Sequence, residues 1–461
     1  MSKRFLGIFV NPIYVQNEGL DAVFDNLEAL GVNAICTVPK VALPSSAGGR
    51  RYPDLHMDGY ERLLARPVWG EQEINVDSYL AFEPDLNLYE VAGYQPSYSS
   101  LPPGLDPSIP QTMIAEAHRR GMQAHMLFHP TLLPNIQPSE QPAYIDGTTP
   151  KPPQITLNGC LNNPKVQAYG LALAQDIAQH YPDLDGLFPD WTEYGAYRLQ
   201  DHFTCICSHC EQAARKQGYD WDSITRDVRS LWDWLHELMS KSLEISRRVV
   251  SNPSEILELL GHYPGWLQFL QFKAGTVVGF YQQMRKQLDV LGHDEMTLSA
   301  RGWPPPWNRS SGMDYRALAQ VCATITPKLF LFDYSALPRW YGQTLLDWNP
   351  DLPESIVLDA LVTWMNLPDD IDHRSFFHYQ IPAPDQRHTA HLDVYRSRVD
   401  EVIAQVGDQS LVYPFAHAYL PDAQWKHIIA ILRDSSVDGI WVQMYGYLSN
   451  HKMNILKQMW M

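Results

Sequence analysis

LDGLFPDWTEY, residues 184–194, is a short apolar segment that ends abruptly at two carboxylates set among aromatic residues. The apolar part has the composition of a buried strand, and Asp190 and Glu193 stand three residues apart where that pattern stops. In parallel α/β folds, ligands bind at the carboxyl ends of the strands. The two carboxylates are therefore candidate functional residues. The alternative is that Asp190 caps the next helix and that Glu193 lies in its first turn.

Seven other apolar, β-branched or aromatic runs resemble this strand, and amphipathic helical patterns separate most of them. The eight predicted strands are residues 5–10, 34–38, 123–128, 186–188, 296–300, 329–332, 411–415 and 439–443. Eight β/α alternations in one chain favour a (β/α)8 TIM barrel. A doubly wound open sheet is the alternative, but residues 11–14, NPIY, are not the Gly-rich phosphate loop that such a fold has after its first strand.

The extra length of the chain follows predicted strands, at residues 39–110, 129–163 and 194–293. We therefore predict a single barrel over residues 1–461 with long βα-loop insertions, and a helical insertion at 195–293 after strand four. Within that insertion, apolar residues recur at spacings of four, three, four and three: Ile224, Val228, Leu231, Leu235 and Leu238. This stripe is expected to pack against the barrel or against another copy of the chain in a homo-oligomer.

Charge and composition exclude several classes of partner. The 461 residues carry a net charge of −17, which disfavours nucleic acid and anionic membranes as partners. No apolar run approaches the ~20 residues that span a bilayer. The apolar run at residues 5–10 is followed by no small-residue cleavage site, so we expect a cytoplasmic protein. Six cysteines in a chain of this length do not form a disulfide framework.

Polar or aromatic residues follow nearly every predicted strand. A barrel brings its strand ends together, so we predict that these residues bind the substrate: Asn11, His129, Trp191, Arg301, Trp303, His417 and Tyr445. Taken singly, each also fits a structural role, such as a salt bridge for Arg301. Asp333 ends the aromatic run at 329–332, where an acid is costly unless it is paired or used.

Asp190, Glu193 and Asp333 can supply the two carboxyl groups that glycoside hydrolysis needs. Trp191 and Tyr194 flank Glu193 and can desolvate it, which raises a carboxyl pKa, so Glu193 is the predicted general acid. Asp190 is predicted to orient the substrate or to act as the second carboxylate. Asp333 is the other candidate for nucleophile or base. This chemistry requires no cofactor, and the predicted partner is a small carbohydrate.

A second cluster lies at residues 205–210, CICSHC. Cys205, Cys207 and Cys210 provide three thiols, whereas a closed structural zinc site needs four ligands. The fourth ligand is left open between His202, His209 and a distant residue. The alternative is a set of buried, reduced thiols that close a loop. Cys36, Cys160 and Cys322 are expected to be packing residues.

Four motifs occur in a specific order: CLNNP at 160–164, YPDLDG at 181–186, DWTEY at 190–194 and then the cysteine cluster. This order resembles glycoside-hydrolase-like TIM-barrel proteins, including relatives of β-galactosidases and clan A hydrolases. In clan A, the acid/base is a Glu after strand four, in an Asn-Glu pair, and the nucleophile is a Glu after strand seven. Here Asp190 and Glu193 follow strand four without that pair, and strand seven continues into His417 with no acid.

Two other functions compete with glycoside hydrolysis. One is a lyase or isomerase acting on a sugar or sugar acid, with His129 or His417 as base and Arg301 holding a carboxylate. The other is a carbohydrate-binding barrel without catalytic activity.

Overall fold

The computed structural model describes residues 4–46, 48–53, 63–150, 158–367, 375–381, 383, 385–386 and 392–460. Within these ranges the strands are β1 Phe5–Phe9, β2 Ala34–Thr37, β3 Lys40–Pro44, β4 Arg50–Tyr52, β5 Ile74–Leu80, β6 Gln123–Phe128, β7 Gly186–Pro189, β8 Thr297–Gly302, β9 Thr324–Leu329, β10 Leu411–Val412, β11 Phe415–His417 and β12 Gly439–Gln443.

Eight of these strands form a closed parallel barrel, in the order β1-β2-β6-β7-β8-β9-β11-β12 and back to β1. Every neighbouring pair runs parallel, as strands joined by helical crossovers must. Strands β3, β4 and β5 form a separate antiparallel sheet in the insertion that follows β2. The predicted (β/α)8 barrel is confirmed, and the open-sheet alternative is wrong.

Helices surround the barrel and fill the longest insertion. They are α1 Pro12–Glu18, α2 Leu20–Ala29, α3 Ile109–Arg119, α4 Pro164–His180, α5 Ser208–Lys216, α6 Trp221–His236, α7 Ser240–Val250, α8 Pro253–His262, α9 Pro264–Val290, α10 Trp307–Ser310, α11 Tyr315–Leu318, α12 Leu331–Trp348, α13 Glu354–Trp364, α14 Leu392–Val406, α15 Asp422–Arg433 and α16 Asn450–Trp460. In the described ranges, no helix combines the length and the hydropathy of a bilayer-spanning segment.

One predicted strand is placed wrongly. The sixth barrel strand is Thr324–Leu329, whereas the apolar run at 329–332 mostly begins α12, at Leu331. The seventh predicted strand is divided into β10 and β11. Both pair with β9: β10 lies beside Thr324 and Ile325, and β11 lies beside Lys328 and Leu329. The barrel wall near the candidate site is thus built from TITPKL, a sequence in which polar residues alternate with apolar ones.

Aromatic side chains fill the barrel below its carboxyl end. The Trp441 ring lies within 5.0–6.3 Å of the rings of Phe188, His125 and Phe415, measured between centroids. Gly186 begins β7 beside this layer, and a Cβ there would collide with Thr297 and His125 of the adjoining strands. The close approach of three strands therefore requires a glycine at that position.

Candidate active site

The segment after β7 is fixed by both the barrel and the long helix α9. The Asp190 amide donates to the Phe128 carbonyl at 2.8 Å, which continues the strand pairing one residue past β7. The Thr192 hydroxyl donates to the Pro189 carbonyl at 3.0 Å and lies 2.8 Å from the hydroxyl of Tyr281 in α9. No helix begins at residues 190–198, so the interpretation of Asp190 as a helix cap is wrong.

A buried lysine joins the two carboxylates. Lys328 lies near the end of β9, and its ammonium is 2.8 Å from Asp190 Oδ1 and 2.6 Å from Glu193 Oε1. Its Nζ also lies 4.3 Å from the centre of the Trp191 ring. Asp190, Glu193 and Lys328 are each no more than 5% exposed. Such short contacts in a buried setting form charge-assisted hydrogen bonds.

Arg301 completes the charged cluster from β8. Its Nη1 is 3.5 Å from Asp190 Oδ2, and its Nη2 donates to Gln443 Oε1 at 2.5 Å. Its guanidinium packs over the Phe415 ring at 4.3 Å. Four barrel strands, β7, β8, β9 and β12, thus bring their carboxyl ends to one point. Two cations face two carboxylates there, which lowers the cost of burying each charge.

The two carboxyl groups are shifted in opposite directions. Burial alone would raise the pKa of Asp190, but Arg301 and Lys328 more than offset it and hold that pKa below its usual range. Burial raises the pKa of Glu193, and Asp190 adds to this effect while Lys328 opposes it. Glu193 Oε2 has no hydrogen-bond partner among the described residues. Asp190 is thus favoured in its ionised form and Glu193 in its protonated form.

An aromatic wall borders the cluster. The Tyr197 ring lies 5.9 Å from Trp191, 4.4 Å from Trp303 and 5.9 Å from Trp340, measured between centroids. Trp191 is half-buried and has a positive φ of 60°, an uncommon conformation that marks a constrained functional segment in many proteins. The indole nitrogen of Trp303 is buried, and no group in the described part of the chain accepts a hydrogen bond from it. Aromatic faces with an unused donor suit the C–H faces and hydroxyls of a sugar.

His129 and His417 differ in their relation to the cluster. His129 directly follows β6 and is half-buried, and burial lowers its pKa to about 3 against the opposing effect of Asp190. His417 ends β11, where its Nδ1 accepts from the Tyr419 amide at 3.1 Å and its ring packs on Phe330. His129 therefore lies close enough to Asp190 to interact with it electrostatically, and His417 lies in an aromatic setting.

Asn11 and Tyr445 have structural partners of their own. Asn11 caps α1, because its Oδ1 accepts from the Ile13 amide at 3.1 Å. The Tyr445 hydroxyl lies 2.9 Å from Glu18 Oε2 and accepts from Asn26 at 2.8 Å. These contacts direct Tyr445 toward α1 and α2 and away from Asp190.

Asp333 belongs to α12 and does not follow a strand. Its side chain lies outside the described part of the structure, as do those of residues 332 and 334.

Lys328 and Gln443 are not among the site residues predicted from the sequence. Both are polar residues near the ends of strands, but Lys328 lies before the apolar run predicted as strand six. A prediction that allowed inward polar residues at 324, 326 and 328 would have found it, since alternate residues of a strand face the same side.

The second cluster contains four thiols, not three. Cys160, Cys205, Cys207 and Cys210 place their sulfur atoms within 4.8 Å of one another. Cys160 Sγ is 3.5 Å from Cys207 and 3.6 Å from both Cys205 and Cys210. The expectation that Cys160 is a packing residue is wrong. Thiol hydrogen bonds from Cys160, Cys205 and Cys210 hold the pKa of Cys207 well below its usual range, whereas the neighbouring thiols raise the pKa of Cys160 and burial raises that of Cys210.

These thiols fit a tetrahedral metal ion. With Zn–S bonds of ~2.3 Å, the sulfurs of a tetrahedral site lie about 3.8 Å apart. The 3.5–3.6 Å separations are close to this value and far from a disulfide bond, and all six cysteines are free. His202 is not the fourth ligand, because its ring nitrogens lie 2.7 Å from Ser310 Oγ and 2.6 Å from the Tyr341 hydroxyl.

One side chain connects the thiols to the active-site segment. Asn162 Nδ2 lies 3.4 Å from Cys210 Sγ, 3.3 Å from the hydroxyl of Tyr194 and 3.2 Å from Thr276 Oγ1. Tyr194 is the residue after Glu193. The thiol cluster thus supports the segment that carries the candidate acid.

No protein-family model matches the chain, and no curated protein sequence matches it. Among solved structures, the chain is similar to the β-galactosidase of the psychrophilic Marinomonas ef1, with 9% identity and a TM-score of 0.51 over 99% of this chain and 59% of that one. The β-galactosidase of the Antarctic haloarchaeon Halorubrum lacusprofundi matches with 10% identity and a TM-score of 0.51, over 99% of this chain and 57% of that one.

These similarities concern the fold. The chain has a (β/α)8 barrel that is similar in fold to the two β-galactosidases. It spans less than two-thirds of the length of either enzyme. A shared barrel does not fix the substrate, because function depends on the site that each barrel carries.

Proposed function

We propose that this protein is a glycoside hydrolase that acts on a small soluble glycoside, with Glu193 as general acid and Asp190 as the second carboxylate. The observation that supports this proposal most strongly is the pair itself. Asp190 and Glu193 lie on one ammonium group at the mouth of the barrel, and their surroundings move their pKa values apart. Glycosidases need one carboxyl group that carries a proton and one that is ionised.

The separation of the carboxylates favours a retaining mechanism. One ammonium nitrogen binds Asp190 Oδ1 at 2.8 Å and Glu193 Oε1 at 2.6 Å, so these oxygens cannot be further apart than the two distances combined. Inverting enzymes separate their carboxyl groups by ~6.5–9.5 Å to admit a water molecule. In this proposal the Asp190 carboxylate attacks the anomeric carbon while Glu193 protonates the leaving oxygen. Asp333 is the alternative second carboxylate.

The substrate would lie against the aromatic wall. Trp191 and Trp303 offer ring faces to the sugar, and the unpartnered indole N–H of Trp303 offers a hydrogen bond to a hydroxyl. His129 and Trp191 are half-buried beside the fully buried carboxylates, so they mark the side from which a ligand can approach. Arg301 holds Asp190 in place through its Nη1.

We also propose that the four thiols bind a structural zinc ion. Four protein ligands leave no open position for a substrate or an activated water, so the ion would stabilise the fold and take no direct part in catalysis. Through Asn162 and Tyr194 it would hold the segment that carries Glu193. Free thiols at this position suit a reducing compartment, which agrees with a cytoplasmic location.

A carbohydrate-binding barrel without catalysis is the second candidate. Residues 415–420, FAHAYL, supply no acid at the end of the seventh strand, where clan A hydrolases carry their nucleophile. The lyase or isomerase alternative is weaker, because a histidine with a pKa of about 3, such as His129, is a poor base at neutral pH.

Turnover separates the two candidates. Wild-type protein and Glu193→Gln would be incubated with a panel of aryl and alkyl glycosides, and the released sugar would be identified. The proposal expects hydrolysis of at least one alkyl glycoside that Glu193→Gln slows. Binding of a sugar without turnover of any glycoside would support the non-catalytic barrel.

A further inference from the structure

A buried lysine near the thiol cluster forms no salt bridge with any carboxylate of the described residues. Lys273 lies in the middle of α9 and is 0% exposed. Its ammonium donates to the His202 carbonyl at 3.2 Å and lies 4.8 Å from the Tyr194 ring and 5.0 Å from the Phe269 ring. Within the described ranges, no carboxylate lies within salt-bridge distance of this nitrogen. An isolated buried ammonium is costly, and burial lowers the pKa of Lys273 to about 7, so negative charge nearby is needed to keep it protonated.

The acidic groups that act on Lys273 are few. Cys205, Cys210 and Asp201 are close enough to interact electrostatically with its ammonium. The Asp201 carboxyl accepts hydrogen bonds from the Tyr144 hydroxyl at 2.9 Å and from the Arg198 amide at 3.1 Å, but burial raises its pKa and so weakens it as a source of negative charge. The other acidic groups that act on Lys273 are two of the four candidate metal ligands.

The chain connects Lys273 to the thiols at two points. The carbonyl that it binds belongs to His202, three residues before Cys205. One turn further along α9, Thr276 binds Asn162, which donates to Cys210 Sγ at 3.4 Å. The same face of α9 thus contacts the segment before Cys205 and the segment after Cys160.

A zinc ion held by four thiolates carries a net double negative charge, and here three of its four ligands are buried. We propose that Lys273 is the counter-cation of this centre. The inference rests on the zinc site proposed above. The ammonium offsets part of the negative charge of the thiolates that the metal does not neutralise. Its hydrogen bond to the His202 carbonyl also links α9 to the metal-binding loop.

This role predicts effects of opposite sign in the two states of the protein. Without zinc, Lys273 is an unbalanced buried charge, so Lys273→Met should make the metal-free protein more stable. With zinc, the same substitution removes the counter-charge. Substitutions of residues that support metal ligands typically weaken metal affinity roughly 10–100-fold, and a loss in that range is expected here. A purely structural lysine would not change the affinity for zinc.

The test compares wild-type protein with Lys273→Met and Lys273→Gln, the second of which keeps a donor for the His202 carbonyl in case the first does not fold. Lys452→Met is the matched control. Lys452 is also buried and donates to a backbone carbonyl, that of Ala418 at 2.8 Å, but it lies in α16 and no thiol of the cluster acts on it. Zinc affinity is measured by competition with a chromophoric chelator, and the stability of the metal-free proteins by urea unfolding.

The inference expects both Lys273 variants to bind zinc roughly 10–100-fold more weakly than wild type and the Lys452 variant to bind it normally. Wild-type affinity in the Lys273 variants, or an equal loss in Lys452→Met, would overturn it while leaving the zinc site in place. A wild-type protein that takes up no zinc would overturn both. Neither result bears on the glycosidase proposal, because no activity is measured.

Discussion

Lys328→Met removes the cation that Asp190 and Glu193 share, and it should lower the free energy of unfolding. The substitution keeps the length of the side chain and takes away contacts of 2.8 Å and 2.6 Å to the two carboxylates. Breaking a buried ion pair by removing one partner typically costs about 3–5 kcal/mol. Arg301 still compensates Asp190 at 3.5 Å, so most of this cost falls on Glu193.

The destabilisation should depend on pH in a defined direction. Burial already raises the pKa of Glu193, Lys328 opposes that shift, and Asp190 reinforces it. Without Lys328 the folded-state pKa rises further, whereas the unfolded-state value stays ordinary. The folded variant then holds a proton that the unfolded chain releases, so stability is lost as pH rises from the unfolded toward the folded pKa. The cost of Lys328→Met should therefore be larger at about pH 8 than at about pH 5.

Urea unfolding of wild-type protein, Lys328→Met and Lys452→Met at both pH values measures this effect. Lys452 is buried without a carboxylate in salt-bridge distance within the described ranges, so its replacement should cost little and show no such pH trend. A loss of less than about 1 kcal/mol for Lys328→Met, or an equal loss at both pH values, would refute the account of a shared cation.

Three further outcomes are expected. Glu193→Gln and Asp190→Asn should each lower kcat on an alkyl glycoside by roughly 10²–10⁴-fold. The loss for Glu193→Gln should shrink on an activated aryl glycoside, and equal losses on both substrates would count against its role as acid. Elemental analysis should find about one zinc per chain in wild-type protein and in the control Cys322→Ser, but little zinc in Cys160→Ser. A Cys160→Ser variant that keeps its zinc would exclude the four-thiol site. Trp303→Phe should raise KM several-fold with little change in kcat, because it removes an indole N–H that has no partner among the described residues. An unchanged KM would show that Trp303 is not part of the binding site.

The sequence predicts the barrel well because its wall consists mostly of short apolar runs with helical patterns between them. The pattern fails at strand six, where the inward positions are Thr324, Thr326 and, at the candidate site, Lys328. Polar residues that serve a site interrupt the hydrophobic signal on which strand prediction depends. The adjacent run at 329–332 was more apolar, yet most of it begins a helix.

Contacts between residues that lie far apart in the chain could also not be predicted from the sequence alone. Cys160 lies 45 residues before Cys205, and no local spacing indicates that their sulfurs approach to 3.6 Å. Asp190 and Glu193 were found because they follow a strand directly. Lys328 lies 135 positions after Glu193 in the sequence, so the contact between them depends on how the barrel closes.

The most direct test of the central claim is the anomeric configuration of the first product. A glycoside that the wild-type protein hydrolyses would be followed by ¹H NMR from the start of the reaction, before the released sugar mutarotates. The close spacing of Asp190 and Glu193 predicts a first-formed sugar with the same anomeric configuration as the substrate. A first-formed sugar of inverted configuration, or no hydrolysis of any glycoside in the panel, would contradict the account.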